Sequence, residues 1–195
     1  MRLINKSEPV IVIVKTVDCT DDQLNYLVQF ADNYIRDRLC RLPLKQDKIN
    51  SVVGCVMRKL IIKKLYGINF IDQNIAFGEK GKPYLMNHDN IHFNVSHSGE
   101  YVVCAVHSKP IGVDIQEIVQ FNDKIARYMF TNEEYNSIKT CEDKDVKFTK
   151  LWSEYEAKCK LIGCGVSGLR TCNFDGIVTS QHITCGYVIS ISTND

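Results

Sequence analysis

The feature that most constrains this chain is an order of residue patterns that occurs twice. From Val10 to Val17, β-branched side chains alternate and cluster as in a buried strand. Thr20-Asp21-Asp22-Gln23 then supplies an N-cap with a capping-box glutamine, and Leu24, Leu27, Val28 and Ala31 fall at helical spacing up to Ile35. A longer helix is expected over Asp47 to Tyr66, with Val52, Val53, Val56, Leu60 and Ile61 as its apolar stripe and Gly67 as its stop. Turn residues from Phe77 to Pro83 follow. Short strands at Ile91 to Val95 and Tyr101 to Val106 bracket a turn at Ser96-His97-Ser98-Gly99. The order then recurs. A strand at Ile111 to Ile115 leads to helices over Asp123 to Phe130, over Thr131 to Ile138 and over Val146 to about Ile162, and strands return between Gly176 and Ser192. No Pro/Gly/Ser-rich linker divides the chain. The pattern predicts an α+β protein of two similar compact halves, residues 1–105 and 106–195, that share a cleft.

The chain has 195 residues, enough to bury a sizeable core, and 24% charged residues, 11 glycines and 4 prolines exclude disordered and collagen-like classes. Its 9 cysteines cannot all pair within one chain, and none sits in a C-x-x-C pair, so reduced, core-filling thiols are expected rather than a disulfide framework or structural zinc. The apolar run Val10 to Val14, closed by Lys15 and Asp18, is too short for a membrane span or a signal core. A cytoplasmic protein without membrane attachment is the expectation.

A net charge of +1 speaks against a nucleic-acid binder, but the total conceals an asymmetry. Residues 1–98 carry +4 and residues 99–195 carry −3. Between 36 and 64, Arg36, Arg38, Arg41, Lys45, Lys48, Arg58, Lys59, Lys63 and Lys64 face only Asp37 and Asp47. Such a run is either a solvated helix face or a site for a phosphate-rich small ligand held by forked guanidinium groups.

Asp114 lies inside the strand run Ile111-Gly112-Val113-Asp114-Ile115-Gln116. A buried carboxylate is costly unless it is paired, hydrogen-bonded or on a metal; the bland alternative is an Asp capping the next turn. The strand period places Gln116 on the same face. On the later helix, Trp152, Glu156 and Lys160 are spaced four apart and share one side. Glu156 and Lys160 form either an exposed ion pair or, if Glu156 converges with Asp114, two hard oxygen ligands for Mg²⁺ with a cation facing a reacting phosphate. His97, between two serines, is either a triad histidine or a phosphate contact. No G-x-S-x-G elbow, P-loop or G-x-G-x-x-G motif is present.

In order, Gly81-Lys82-Pro83, Phe93-Asn94-Val95-Ser96-His97-Ser98, Ile111-Gly112-Val113-Asp114 and Trp152-Ser153-x-x-Glu156-Ala157-x-x-Lys160 resemble the Sfp-type phosphopantetheinyl transferases. The resemblance implies a pseudo-twofold pair of α+β halves with coenzyme A in the cleft between them. It implies transfer of the phosphopantetheine arm of coenzyme A to a serine of an apo acyl, peptidyl or polyketide carrier protein, releasing adenosine 3',5'-bisphosphate. By the same resemblance Asp114 and Glu156 hold Mg²⁺, Glu156 or a water it positions takes the serine proton, and Lys160 stabilises the departing phosphate. Arg38, Ser51, Lys82, Ser96 and His97 then contact the nucleotide and its phosphates. Two halves within one chain suggest a monomer.

Three departures from the family pattern stand out. Gln116 occupies a position where many members carry Glu, so two carboxylates are expected on the metal, with Gln116 a weaker ligand or water filling its place. Tyr155 stands where the family often has Lys. Ile35, Ile49 and Asn50 stand where some relatives have Lys, His and Arg. These losses leave open a coenzyme A-binding protein without transfer activity, and the same Asp and Glu would serve a metal-dependent phosphodiesterase on small nucleotides.

Overall fold

The first sheet grows from the β-branched run at Val10, and its architecture is then repeated. A computed structural model of the chain describes residues 8–165 and 171–195. The elements are β1 (Val10–Lys15), α1 (Asp21–Val28), α2 (Asn33–Leu39), α3 (Lys45–Tyr66), β2 (Ile75–Phe77), β3 (Pro83–Leu85), β4 (His92–Ser98), β5 (Tyr101–His107), β6 (Ile111–Glu117), α4 (Asp123–Met129), α5 (Asn132–Lys139), α6 (Lys144–Ile162), β7 (Ile177–Thr184) and β8 (Tyr187–Asn194). One antiparallel sheet has the order β1-β5-β4, the other β6-β8-β7, and β2 and β3 form a separate hairpin. Each three-stranded sheet therefore has its leading strand at one edge and its last strand in the centre. The long helix of each unit lies on its own sheet, α3 against β5 and β4, α6 against β6 and β8. The α+β class follows directly.

The two units are not independent cores. Strand periodicity sends Val102, Cys104 and Val106 of β5 toward α3, while Val103 and Ala105 pack with Ile111, Val113 and Ile115 of β6. The edges of β4 and β6 are stitched by side chains rather than by a backbone ladder. Asn94 Oδ1, Ser96 Oγ and Ser98 Oγ accept the N–H groups of Val113, Ile115 and Glu117 at 2.9, 3.3 and 3.0 Å. The offset is 19 residues at each rung, so the strands run parallel, and edge N–H groups that would otherwise be orphaned are satisfied.

Both capping boxes form, at Thr20 with Gln23 and at Thr131 with Glu134, and Gly67 ends α3 in the left-handed region at φ 75°. Three local expectations are corrected. The helical run that spacing extends to Ile35 breaks after Val28, and a new helix starts at Asn33. Asp32 sets the break: its carboxylate is bound by Arg58 at 2.6 Å and Lys59 at 2.9 Å, and its N–H by Cys55 Sγ at 3.4 Å. Leu60 is 54% exposed and does not belong to the apolar stripe. Helix α3 is instead buried on two sides, by its sheet and by α1 and α2, through Ile49, Val52, Val53, Val56, Met57, Ile61 and Ile62. Finally, Ser96-His97-Ser98 continues β4 instead of turning, because its serines reach the edge of β6; the chain turns at Gly99, with φ 52°.

Candidate functional site

Gly112 decides how closely the site can assemble. A Cβ there would lie 2.1 Å from Ala157 O and 2.5 Å from Leu161 N, so α6 crosses β6 at backbone contact. That approach brings Glu156 and Lys160 over Asp114, two residues along β6 from Gly112.

Asp114 is 2% exposed. Its Oδ1 accepts the Ser96 hydroxyl at 2.9 Å and Lys160 Nζ at 2.5 Å. Ser96 Oγ also accepts Lys160 Nζ at 2.8 Å and the Ile115 N–H, so its one donor and two acceptor sites are all used. Lys160 Nζ lies 3.6 Å from Glu156 Oε2. Burial, and then the Asp114 charge, raise the Glu156 carboxyl above the usual range, while Lys160 and a hydrogen bond from Trp152 oppose the shift. Asp114 Oδ2 is buried and has no hydrogen-bond partner among the described residues. Gln116 follows on the same face of β6, partly buried. Among the described residues no group of three His, Cys, Asp or Glu side chains is arranged to hold a metal ion.

Two cavities adjoin this cluster. One of about 200 Å³ is lined by Lys82, Glu156, Cys159 and Lys160; the other, of about 240 Å³, by Arg38, Ser51, Arg58, Phe93 and His97. Gly81, Pro83, Asn94 and Val95 line both, so the cavities form one groove. Burial lowers the pKa of the His97 ring, Asp47 opposes that, and the charges of Lys160 and Arg38 add to it. Of three larger cavities, one of about 400 Å³ lies on the other side of Lys82, beside Ile162 and Gly163, and those of about 570 and 640 Å³ hold none of the site residues expected from sequence.

The sequence-predicted residues thus fall into two groups, Asp114, Glu156, Lys160 and Ser96 at one end of the groove and Arg38, Ser51 and His97 at the other. Lys82 lines the cavity beside Glu156 and Lys160. Its ammonium turns to the carbonyls of Leu161 at 2.6 Å and Ile111 at 3.4 Å, and burial pushes its pKa down to about 8. The basic run does not act as one patch either. Arg58 and Lys59 are buried on Asp32, Lys45 pairs with Asp21 at 2.7 Å, and Arg36 bonds the Asn33 side chain. Ile35 and Ile49 are buried, and Asn50 is held by Gln46 and the Gly99 carbonyl. Tyr155 faces α5, where its hydroxyl donates to Glu134 at 2.8 Å. Sequence reasoning missed Asn94 as a groove residue, although it shares the period-two face of Ser96 and Ser98.

A family model described as 4'-phosphopantetheinyl transferase, N-terminal, matches residues 16–109, and one described as the 4'-phosphopantetheinyl transferase superfamily matches residues 110–187. Their junction falls in the turn between β5 and β6. The chain is 36% identical over 136 residues to a Bacillus subtilis protein named 4'-phosphopantetheinyl transferase, covering 68% of this chain and 60% of that one. It is 34% identical over 135 residues to 4'-phosphopantetheinyl transferase Sfp of Bacillus subtilis strain 168, with the same coverage. It is 32% identical over 150 residues to 4'-phosphopantetheinyl transferase ffp of Bacillus subtilis, covering 76% and 67%. The matched region therefore spans about three fifths to two thirds of the length of these relatives.

Proposed function

The chain belongs to the 4'-phosphopantetheinyl transferase superfamily, and from that membership we propose that it moves the phosphopantetheine arm of coenzyme A onto a serine hydroxyl of an apo acyl, peptidyl or polyketide carrier protein, releasing adenosine 3',5'-bisphosphate. The observation that carries the proposal is the groove with Asp114, Glu156 and Lys160 converging at one end and Arg38, Ser51 and His97 at the other. A ligand with a diphosphate and a separate 3'-phosphate suits a groove with ionic groups at both ends.

The residues present fit a divalent cation. Asp114 Oδ2 is a buried carboxylate oxygen without a partner among the described residues, and a second carboxylate, Glu156, stands close enough for the Asp114 charge to raise its proton affinity. Asp114 and Glu156 would hold Mg²⁺, with Gln116 giving a weaker amide oxygen or ordering water. When bound, the metal would neutralise charge on the diphosphate oxygens. The chain's own groups do the rest. Glu156 accepts the proton of the attacking serine hydroxyl, and Lys160, poised between the two carboxylates, stabilises the departing phosphate. His97, Ser51 and Arg38 orient the nucleotide, while Ser96 fixes Asp114 and Lys160. Lys82, its ammonium engaged with main-chain carbonyls, shapes the groove wall.

In this reading residues 1–105 supply the nucleotide wall, residues 106–195 supply the carboxylates, and the cleft between them is the active site of a cytoplasmic monomer that binds neither nucleic acid nor membrane. No described helix is long and apolar enough to cross a membrane. The test is labelling of an apo carrier by a fluorescent coenzyme A, with a mass gain of about 340 Da expected for the covalently added arm. Asp114→Ala and Glu156→Ala should each abolish labelling; full labelling in either variant removes that residue from the proposed chemistry. Bisphosphate release without any acceptor would instead mark a phosphodiesterase.

A further inference from the structure

Three of the cysteines meet at the end of α6. Cys159 and Cys164, 2% and 7% exposed, form a small buried cluster against which Cys172, Phe174, Tyr155 and Met129 pack. Cys164 is the shared member: its thiol is hydrogen-bonded with that of Cys159 on one side and with that of Cys172 on the other. No C-x-x-C signature announces this, because the turn after α6 creates it. Gly163 takes the left-handed conformation at φ 75°, and the N–H groups of Gly163 and Cys164 both donate to the Cys159 carbonyl, at 2.8 and 3.2 Å. The chain thereby folds back and sets residue 164 beside residue 159.

The three thiols differ in access. Cys172 is partly exposed, whereas Cys159 and Cys164 lie behind it, so a solute meets Cys172 first. The hydrogen bond with Cys164, and then burial, raise the Cys172 pKa, while the Lys80 charge opposes them; burial, and then Cys164, hold the Cys159 thiol higher still. Sulfurs already in hydrogen-bonding contact are separated from a bond of about 2.05 Å by side-chain rotation rather than by movement of the fold.

We propose that Cys164 and Cys172 are a redox-active dithiol pair, which a low-molecular-weight disulfide such as glutathione disulfide oxidises to an intrachain disulfide. The Cys172 thiolate attacks one sulfur of the small disulfide, whose S–S bond breaks and releases a first small thiolate. Cys164 then attacks the Cys172 sulfur of the mixed disulfide; the intrachain S–S bond forms and a second small thiolate leaves. The two protons lost by the protein end on the two departing thiols, and the protein sulfurs give up the two electrons that reduce the small disulfide. Cys159 and Gly165 line the cavity beside Glu156 and Lys160, and Cys164 lines the cavity on the other side of Lys82, so the cross-link forms in the wall of the groove. It would tie the residue that follows α6 to the segment that enters β7. This chemistry is independent of which ligand the groove takes.

The test treats the reduced full chain with glutathione disulfide, blocks remaining thiols by alkylation, and maps the tryptic peptides by mass spectrometry. Trypsin cuts after Lys158, Lys160 and Arg170, so Cys159, Cys164 and Cys172 fall in separate peptides, residues 159–160, 161–170 and 171–195. Cys185, exposed and in the same peptide as Cys172, is replaced in the background by Cys185→Ser. The expected product joins 161–170 to 171–195, loses two alkylatable thiols, and reverts with dithiothreitol. Cys159→Ala should leave the product unchanged, and Cys164→Ser and the milder, partly exposed Cys172→Ser should each abolish it. A chain that stays fully alkylatable, or that stops at the mixed disulfide, overturns the pair. So does a link to residues 159–160 in place of 171–195, which would give the chemistry to Cys159. Equal yield of the link in the urea-unfolded chain would also overturn it, by showing that the fold does not bring these thiols together.

Discussion

Ser96 and Asp114 belong to different sheets, yet the Ser96 hydroxyl donates to Asp114 Oδ1 at 2.9 Å and accepts the N–H of Ile115, the next residue on β6. One hydroxyl therefore ties the two units together and orients the carboxylate at the centre of the site. Ser96→Ala leaves a buried N–H without an acceptor and Asp114 Oδ1 with Lys160 alone, which should cost about 1–3 kcal/mol in urea unfolding. Ser98→Ala removes the equivalent rung to the exposed Glu117 and should stay within about 0.5 kcal/mol. Equal effects for the two serines would show that burial does not set the strength of the rungs.

Gly112 supplies the second prediction. A methyl group there would sit 2.1 Å from a backbone oxygen and 2.9 Å from Leu161 Cα, neither of which can swing aside as a side-chain tip could. Gly112→Ala should push α6 off β6, lower stability by about 1–3 kcal/mol, and separate Glu156 and Lys160 from Asp114. Carrier labelling should fall more than stability explains. Wild-type labelling at a temperature where the variant remains folded would show that the helix-to-strand distance is not critical.

What the sequence revealed of this fold is what depends on local order. Apolar periodicity, capping boxes and the glycine after Tyr66 place most elements, and i, i+4 spacing puts Glu156 and Lys160 on one side of α6 before any tertiary contact is known. What it concealed depends on partners distant in the chain. The helical period from Leu24 to Ile35 is unbroken in the sequence, whereas in the fold Asp32, held by Arg58 and Lys59 of α3, stands before the first residue of a new helix. Ser96 and Ser98 look like turn residues until β6 lies beside them, because a polar side chain facing a strand edge has no signature of its own. Basic residues 36 to 64 look like one patch because charge counts do not record which cations are already paired.

Asp32 gives a third prediction. It is the shared partner of Arg58 and Lys59, whose side chains are 1% and 9% exposed. Asp32→Ala would leave two buried cations facing each other across a void, and removing one side of such a pair is strongly destabilising. A loss of about 3–5 kcal/mol is expected in chemical denaturation, larger than that for Lys45→Ala, whose pair with Asp21 is solvent-exposed. Similar losses for the two variants would mean that burial does not strengthen the Asp32 cluster over an exposed pair.

Lys82 gives a pH-dependent prediction with a defined sign. Burial lowers its pKa from 10.5 to about 8, which means that the folded environment disfavours the charged form. Below pH 8 the ammonium is charged in both the folded and the unfolded chain, so its burial penalty is present in full and does not vary with pH. Between pH 8 and 10.5 the unfolded chain binds a proton that the folded chain has released, and stability contributed by this residue must rise with pH. Lys82→Met removes the titration while keeping an unbranched stem along Gly163. Tyrosines and cysteines that ionise in the same range are common to both proteins and cancel in the difference. The stability of the wild-type chain relative to Lys82→Met, from urea midpoints, should therefore be constant from pH 6 to 7.5 and increase from about pH 8 to 10. A difference that falls over that interval would mean that the ammonium gains more from the Leu161 and Ile111 carbonyls than it loses on burial.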